Sequence, residues 1–310
     1  MNKDRYSKVY LVTGANGFVG SRLVEKIAEN GDCYVIAIVR NLQTKITEKR
    51  NIEYIVCEME QYRELHNYIG NRCIDFFIHL AWDGSAGEKR SDFQIQMKNV
   101  QCSLNAYEEA KKIGCRRFLC AGTISENIVG QVSKIKNISQ NLIYAQAKKT
   151  LREFLTILSK NSNVEMVWMQ FSNIYGANNT SGNLIAYTMD KLLNNEEPEY
   201  GSASEPYNFI YIDDLVDAIV ALTGIQNSDS HYFIGGNEIL QLKTYLYMIS
   251  EIMGMNQTIG IGKRADDGIE YKESWFDISK LKKDTGFQPR YSFESGIKEI
   301  LKGWDNGGEI

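Results

Sequence analysis

The hydrophobic and polar positions of this chain alternate with two periods, and together they predict its architecture. Short apolar runs recur at Val9 to Val12, Cys33 to Val39, Ile52 to Cys57, Ile74 to Leu80, Arg117 to Ala121 and Val164 to Phe171. They are rich in β-branched and bulky residues, as strands buried on both faces require. Between them, apolar positions recur three and four residues apart. Leu23, Val24, Ile27 and Ala28 mark a first helix stopped by Asn30-Gly31; Phe93 to Ile113 and Leu142 to Leu158 mark two longer ones. Strands alternating with helices in one direction predict a parallel sheet covered on both faces, a doubly wound α/β fold whose ligands gather at the strand carboxyl ends.

After Tyr175 the rhythm changes. Gly176 to Asn183 reads as a polar loop, followed by a helical stretch to Leu193. Glu196 to Tyr207, with Pro198 and Pro206, reads as another loop. Asp213 is expected to cap a helix running to Leu222, Tyr232 to Ile234 to form a short strand before Gly235-Gly236, and Phe293 to Leu301 to form the last helix. The expected division is an α/β domain over residues 1–175 and a smaller portion over 176–310, with some of its segments returning to the first. An irregular portion over the strand ends suits a substrate lid.

Composition narrows the partners. With 310 residues, 43% of them hydrophobic, the chain can bury a large core. A net charge of −4 argues against a nucleic-acid surface. Met1 to Lys8 is polar and leads straight into the first strand, which leaves no room for a signal peptide, and no apolar stretch approaches membrane-spanning length. Cys33, Cys57, Cys73, Cys102, Cys115 and Cys120 form no C-x-x-C pair, and read as reduced thiols of a cytoplasmic protein. His66, His79 and His231 lack metal-ligand spacing, so no metal is expected.

The first chemistry lies in the turn after the first strand. Gly14, Gly17 and Gly20 stand between strand and helix in G-x-x-G-x-x-G spacing. Glycine there permits positive φ and close backbone approach, and the helix start offers N–H donors and a partial positive charge to a pyrophosphate. That makes residues 1–175 a candidate dinucleotide-binding Rossmann domain. The second strand ends in Arg40, 20 positions after Gly20. An arginine there can pair with a 2′-phosphate, favouring NADP over NAD; the alternative is a solvated arginine at a loop start.

The second chemistry is Tyr144 with Lys148, four residues on and so on the same helical face. An ammonium beside the phenol is expected to lower its pKa and fit it for proton exchange with a hydroxyl or carbonyl oxygen. Thr123, just past the fifth run, can donate a hydrogen bond to a developing oxyanion. A Tyr–Lys pair at this spacing also arises by chance on many amphipathic helices.

The ordered set is more specific. Val12-Thr13-Gly14-Ala15-Asn16-Gly17-Phe18-Val19-Gly20, His79-Leu80-Ala81, Thr123, Tyr144 with Lys148, Asn173-Ile174-Tyr175-Gly176, Ile210-Tyr211-Ile212-Asp213-Asp214 and Gly286-Phe287-Gln288-Pro289 occur in this order. Together they resemble the extended short-chain dehydrogenase/reductase superfamily, in its nucleotide-sugar epimerase/dehydratase/reductase branch, over nearly the whole chain. The resemblance implies Tyr144 as catalytic acid/base, Lys148 on the nicotinamide ribose, and Thr123 at the substrate oxygen. It further implies Gly14, Asn16, Gly17 and Gly20 along the pyrophosphate, Phe18 and Val19 supplying amides, and Leu80 and Ala81 along the cofactor. Asn173 would contact the diphosphate region of a nucleotide-sugar substrate, and a homodimer would form through the long helices.

Two departures stand out. Where relatives often carry arginine before Asn173 and Arg-Asp before the Phe209 strand, this chain has Gln170 and Tyr207-Asn208. Lys263 and Arg264 either supply the missing charge or form an ordinary exposed basic pair. The stretches His79-Leu80-Ala81-Trp82-Asp83-Gly84, followed by Arg90, and Ala121-Gly122-Thr123-Ile124-Ser125-Glu126 look like members that reduce 4-keto-6-deoxy nucleotide sugars for surface polysaccharides. Trp82 would wall a deoxysugar methyl group, or is a core-edge aromatic.

The expected activity is NADPH-dependent reduction at C4. An NAD-dependent 4-epimerase and a non-catalytic NADP-binding sensor are the alternatives. Dehydration fits less well, because Ile124 and Ser125 offer no acid/base pair beside Thr123.

Overall fold

The structure, a computed structural model, describes residues 6–42, 47–135, 138–179, 182–225, 231–255 and 258–305. The chain runs β1 (Lys8–Thr13), α1 (Phe18–Glu29), β2 (Cys33–Val39), β3 (Ile52–Val56), α2 (Leu65–Ile69), β4 (Phe76–His79), α3 (Phe93–Ile113), β5 (Arg117–Thr123), α4 (Leu142–Ser159), β6 (Glu165–Phe171) and β7 (Asn173–Tyr175). It continues with α5 (Leu184–Leu193), β8 (Pro206–Tyr207), β9 (Phe209–Tyr211), α6 (Ile212–Thr223), β10 (His231–Ile234), β11 (Leu240–Gln241), α7 (Leu242–Ile252), α8 (Ser279–Thr285) and α9 (Phe293–Asp305).

Seven strands form one sheet in the order β3-β2-β1-β4-β5-β6-β10, and every pairing in it is parallel. All seven residues of β2 are buried, as a strand covered on both faces must be. Successive residues of each strand feed opposite cores. Val12, Val35, Ile78 and Leu119 pack with Leu23, Ile27, Leu215 and Ile219 of α1 and α6. Leu11, Ile36, Phe77 and Phe118 pack with Tyr107, Ala110, Leu151 and Leu155 of α3 and α4. The strand order reverses between β1 and β4, and the crevice at their carboxyl ends holds the site.

Helix ends follow local chemistry. The Asp92 side chain caps α3, accepting from Gln94 and Ile95 N–H, and Gly114 closes it at φ 71° in the left-handed region. Asp213, expected to cap α6, does not: Tyr211 is the N-cap, and Asp213 sits in the first turn with its carboxylate 2.5 Å from Arg22 Nε on α1. An acid in the first turn still meets the helix dipole favourably, so the same residue suits either position.

β5 extends two residues beyond the apolar run, through Gly122 to Thr123. A Cβ at Gly122 would stand 2.2 Å from Trp168 Nε1, so the strand passes the indole only because that residue is glycine. β3 stops at Val56 and β4 is confined to Phe76–His79, both shorter than their apolar runs. α2 and the strands β7, β8 and β11 carry too short a pattern to be expected. β10 returns from the carboxyl-terminal portion to lie beside β6, while β7 pairs with β9 and β8 with β11 in two small sheets. Thr180-Ser181 of the expected polar loop and Met1 to Arg5 lie outside the described residues.

Cys73 is exposed; the other cysteines are buried, and all six are free thiols. No described helix is long and apolar enough to cross a membrane. Among the described residues no three His, Cys, Asp or Glu side chains gather as a metal site.

Candidate active site

A cleft of about 920 Å³ opens over the carboxyl ends of β1, β4 and β5. One end is made by the glycine turn. Gly14 alone of the three glycines takes positive φ, at 69°. A Cβ on it would lie 2.8 Å from Ala81 N, so β1 and the residues after β4 approach each other only through glycine. Gly20 is needed for a different reason: a Cβ there would stand 2.0 Å from Gly14 O, inside the turn itself. Gly17 is the N-cap of α1, at φ −78°, with no side-chain cap and no acid in the first turn. The first N–H groups of α1 are thus left for a ligand, and Phe18, Val19 and Gly20 line the cleft. Fewer of the glycines need positive φ than the sequence suggested; the others keep the turn tight and leave the N-terminal turn of α1 without a side-chain cap.

Asn16, Leu80, Ala81 and Arg40 also line the cleft. The exposed Arg40 side chain makes no ion pair or hydrogen bond among the described residues. Beneath Leu80, His79 is fully buried, with Nδ1 2.8 Å from Thr13 Oγ1 and Nε2 2.9 Å from Ser103 Oγ. Burial pulls its pKa down to about 3, so the imidazole stays neutral.

The other end is built from side chains. Thr123, Tyr144 and Trp82 line it, the Trp82 and Tyr144 rings meeting edge-on at 6.0 Å. The Trp82 indole donates to Gln96 Oε1 at 2.8 Å, which fixes the ring. Lys148 is buried behind them; its ammonium donates to Ala121 O at 2.7 Å and lies 3.7 Å from the Trp82 ring centre. This corrects the expected tuning of the phenol. The shared helical face brings the Cβ atoms together, but the long lysine stem carries its charge to the strand end instead. Burial pushes the Tyr144 pKa up to about 12; the charge that opposes burial most is that of Arg90, aided by a hydrogen bond with Thr123, while Glu126 adds to the rise. Burial likewise pulls Lys148 down to about 8.

Glu126 is a site residue that sequence reasoning passed over. Its buried carboxylate accepts from Thr123 N–H at 2.8 Å and from the Trp168 indole at 3.2 Å, and lies 3.3 Å from Arg152. Thr123-Ile124-Ser125-Glu126 has the S/T-x-x-E signature of a capping box, and the box forms. It holds the Thr123 turn rigid from behind.

The substrate-side wall carries Asn173 and Tyr207. Tyr207 Oη donates to Asn173 Oδ1 at 3.1 Å, and Asn173 Nδ2 donates to Asn208 O at 3.0 Å. Neither replacement for the missing arginines supplies charge. Gln170 braces the Thr123 carbonyl at 3.2 Å, and Asn208 ties Gly236 and Glu238 carbonyls to this strand. Arg264 does not reach the cleft: its guanidinium is exposed, lies 5.4 Å from the Tyr187 ring centre and donates to that hydroxyl at 2.9 Å. Lys263 pairs with Glu197. Both are held on the outer surface of the carboxyl-terminal portion by partners the sequence pattern does not disclose.

A parallel sheet with this glycine cradle at its switch point and a Thr–Tyr–Lys cluster beside it defines an NAD(P)-dependent enzyme of the extended short-chain dehydrogenase/reductase type. The chain belongs to the NAD dependent epimerase/dehydratase family, whose profile matches residues 10–235. It is similar to the CDP-abequose synthase of Salmonella muenchen, 24% identical over 300 residues that span 95% of this chain and 97% of that protein. It is also similar to the dTDP-4-dehydro-6-deoxyglucose reductase of Escherichia coli, 22% identical over 307 residues, 94% and 96% of the two chains. Among solved structures, a UDP-glucose 4-epimerase from Thermotoga maritima with UDP-glucose superposes with a TM-score of 0.80 at 22% identity, covering 96% of this chain and 99% of that one. At that identity the likeness concerns the fold.

Proposed function

We propose that this protein reduces the C4 keto group of a nucleotide-activated 4-keto-6-deoxyhexose with NADPH, in surface-polysaccharide sugar biosynthesis in the cytoplasm. The observation that carries this reading is the convergence of the Thr123 and Tyr144 hydroxyls with the Trp82 ring at one end of a cleft whose other end is the glycine cradle. The names of the two relatives support the same chemistry. The glycine turn and Arg40 would hold NADPH, which when bound would supply hydride at C4. Tyr144 gives its proton to the C4 oxygen, turning the carbonyl into a hydroxyl, and is reprotonated from solvent. Thr123 Oγ1 donates to the oxygen as charge develops there. Lys148 takes the nicotinamide ribose hydroxyls, the role its place four residues after Tyr144 implies. Asn173, oriented by Tyr207, meets the diphosphate region through the second hydrogen of its amide, an uncharged donor, and Trp82 walls the C6 methyl group. Arg40, which lines the cleft and pairs with no described residue, favours the 2′-phosphate of NADP over NAD.

The test follows NADPH and NADH absorbance with a panel of nucleotide 4-keto-6-deoxyhexoses. Stoichiometric oxidation of NADPH with one panel member is expected, falling by about 10³-fold in Tyr144→Phe. Interconversion of C4-epimeric sugar nucleotides without net oxidation would replace the reductase by an epimerase, and tight NADP binding without turnover would favour a sensor.

The same reading includes a homodimer through α3 and α4. Phe93 and Met97 on α3 and Phe154, Ile157 and Leu158 on α4 are exposed apolar side chains. Light scattering should give twice the chain mass, and the chain mass alone in a Phe154→Glu, Ile157→Glu double variant.

A further inference from the structure

Two unlike groups flank Tyr144 in the cleft. One is the Trp82 ring, edge-on at 6.0 Å. The other is Arg90, whose guanidinium carbon lies 4.6 Å from the centre of the Tyr144 ring, within cation–π reach. Arg90 lines the cleft. Its charge opposes the burial-driven pKa rise of both the Tyr144 and the Tyr207 phenols, so it stands between the two walls. No described carboxylate pairs with it, and Asp83, in the same turn, is taken by Lys89 at 3.2 Å. Arg90 Nε is buried without a hydrogen-bond partner, which leaves the terminal N–H groups for a ligand. Buried Gln96 donates to the Gly84 and Lys89 carbonyls at 2.9 Å each and accepts the Trp82 indole N–H. One side chain of α3 therefore fixes both flanks. Beside Arg90 the cleft adjoins a second cavity of about 770 Å³, walled by Ser85, Ser91, Ser139, Gln140 and Asn141, so this flank is polar. A partly buried cation held in place without an acceptor is costly until a ligand supplies one.

The inference rests on the reduction at C4 proposed above. In a 4-keto-6-deoxyhexose the reacting carbon also has two unlike neighbours: C5 bears the methyl group, and C3 bears a hydroxyl. With the Tyr144 and Thr123 hydroxyls on the C4 oxygen, the aromatic flank suits the methyl side, and the acceptor left for the cationic flank is the C3 oxygen. We propose that Arg90 donates to the C3 hydroxyl of the sugar and so restricts this enzyme to 4-keto-6-deoxyhexoses that keep oxygen at C3. A 3-deoxy sugar would cover the guanidinium with a methylene and leave its N–H groups unpaired. A site built to hydrogen-bond a substrate hydroxyl rejects the analogue lacking it for that reason. The role is one of recognition and leaves the proton chemistry at the C4 oxygen to Tyr144.

The test compares kcat/KM with NADPH for dTDP- and CDP-linked 4-keto-6-deoxyglucose and for their 3-deoxy counterparts. On either nucleotide, the wild type should favour the 3-hydroxy sugar by about 10- to 100-fold, the worth of a charge-assisted hydrogen bond. Arg90→Met should lose that factor on the 3-hydroxy sugar and stay within a few-fold of wild type on the 3-deoxy sugar, so the ratio collapses towards one. Arg90→Lys, which keeps a cationic donor, should regain part of it. The ratio is the reading that a structural role does not move. A loss shared equally by both sugars overturns the proposal, since it would place the effect on the phenol or on the fold. Equal use of the two sugars by the wild type, or a preference for the 3-deoxy one, overturns it as well. If no sugar is reduced, the proposed reaction fails, and calorimetric titration of the same sugars into NADP-loaded protein still decides the role of Arg90. Tighter binding of the 3-hydroxy sugar, lost in Arg90→Met, upholds the role; equal affinity or no binding overturns it.

Discussion

At the β1–α1 end of the cleft the ligand-facing surface is main chain; at the β5–α4 end it is side chains backed by buried charge. The first end works by shape. Its glycines exist because Cβ atoms would collide with Ala81 N or Gly14 O, and its attraction for an anion comes from uncapped helix N–H groups. The second works by electrostatics. Glu126, Tyr144 and Lys148 are all buried, and each has its pKa moved primarily by that burial. The contrast has a consequence for substitution. The shape-built end should fail when one methyl group is added, whereas the charge-built end should fail when a charge or proton changes and the shape is kept.

Gly20→Ala breaks the comparison at its strongest point. The new methyl would sit 2.0 Å from Gly14 O and 2.8 Å from Gly14 C, so backbone must move on both sides. Overpacking of this kind costs roughly 1–3 kcal/mol or more. The displacement falls on the cradle itself, so dinucleotide affinity should drop by about 100-fold or more, the loss expected when two or three kcal/mol of pyrophosphate contact is removed. Isothermal titration with NADPH reads this directly. Affinity within a few-fold of wild type would mean that the turn relaxes freely and that shape is not what the glycines protect.

The same contrast explains how legible each end was. A shape-built turn must write its constraint into the chain as glycines at fixed spacing between an apolar run and a helical one, so Gly14, Gly17 and Gly20 could be read directly. The strands and α3 and α4 were readable because burial on both faces, or on one helical stripe, leaves a periodic trace. Electrostatics leaves no such trace. Tyr144 and Lys148 were visible as a spaced pair, yet the spacing could not say that the ammonium turns to Ala121 O, because a flexible stem decides its own direction. Arg90 lies in an irregular turn held by Gln96 from a distant helix, a contact with no local pattern. Glu126 was readable in principle through the capping signature behind Thr123. The choice between the two readings of Arg264 was not legible because its partners, Tyr187 on α5 and Glu199 beyond it, lie far away in sequence and leave no local pattern.

Acidification should sharpen the comparison, because acid acts on buried titratable groups and leaves a main-chain cradle untouched. His79 stands where the two ends meet, bridging Thr13 on β1 and Ser103 on α3. Its pKa is about 3 in the folded protein and about 6.5 in an unfolded chain. Between those values the unfolded chain binds a proton that the folded protein does not, so stability falls as pH falls. The contribution is fully present above about pH 6.5 and is lost progressively below it. Integrating this difference gives a loss of about 2 kcal/mol between pH 7.5 and pH 5 from this one ring. Glu126, its pKa raised by burial, acts in the opposite sense as the pH falls. The wild type must therefore be compared with His79→Asn, in which Glu126 is retained and its contribution cancels. Urea denaturation at both pH values should show the variant less stable at pH 7.5 for want of two hydrogen bonds, but losing about 2 kcal/mol less than wild type on going to pH 5. Equal losses in the two proteins would mean that the imidazole is hydrated or protonated in the fold, and that the seam between the two ends is not dry.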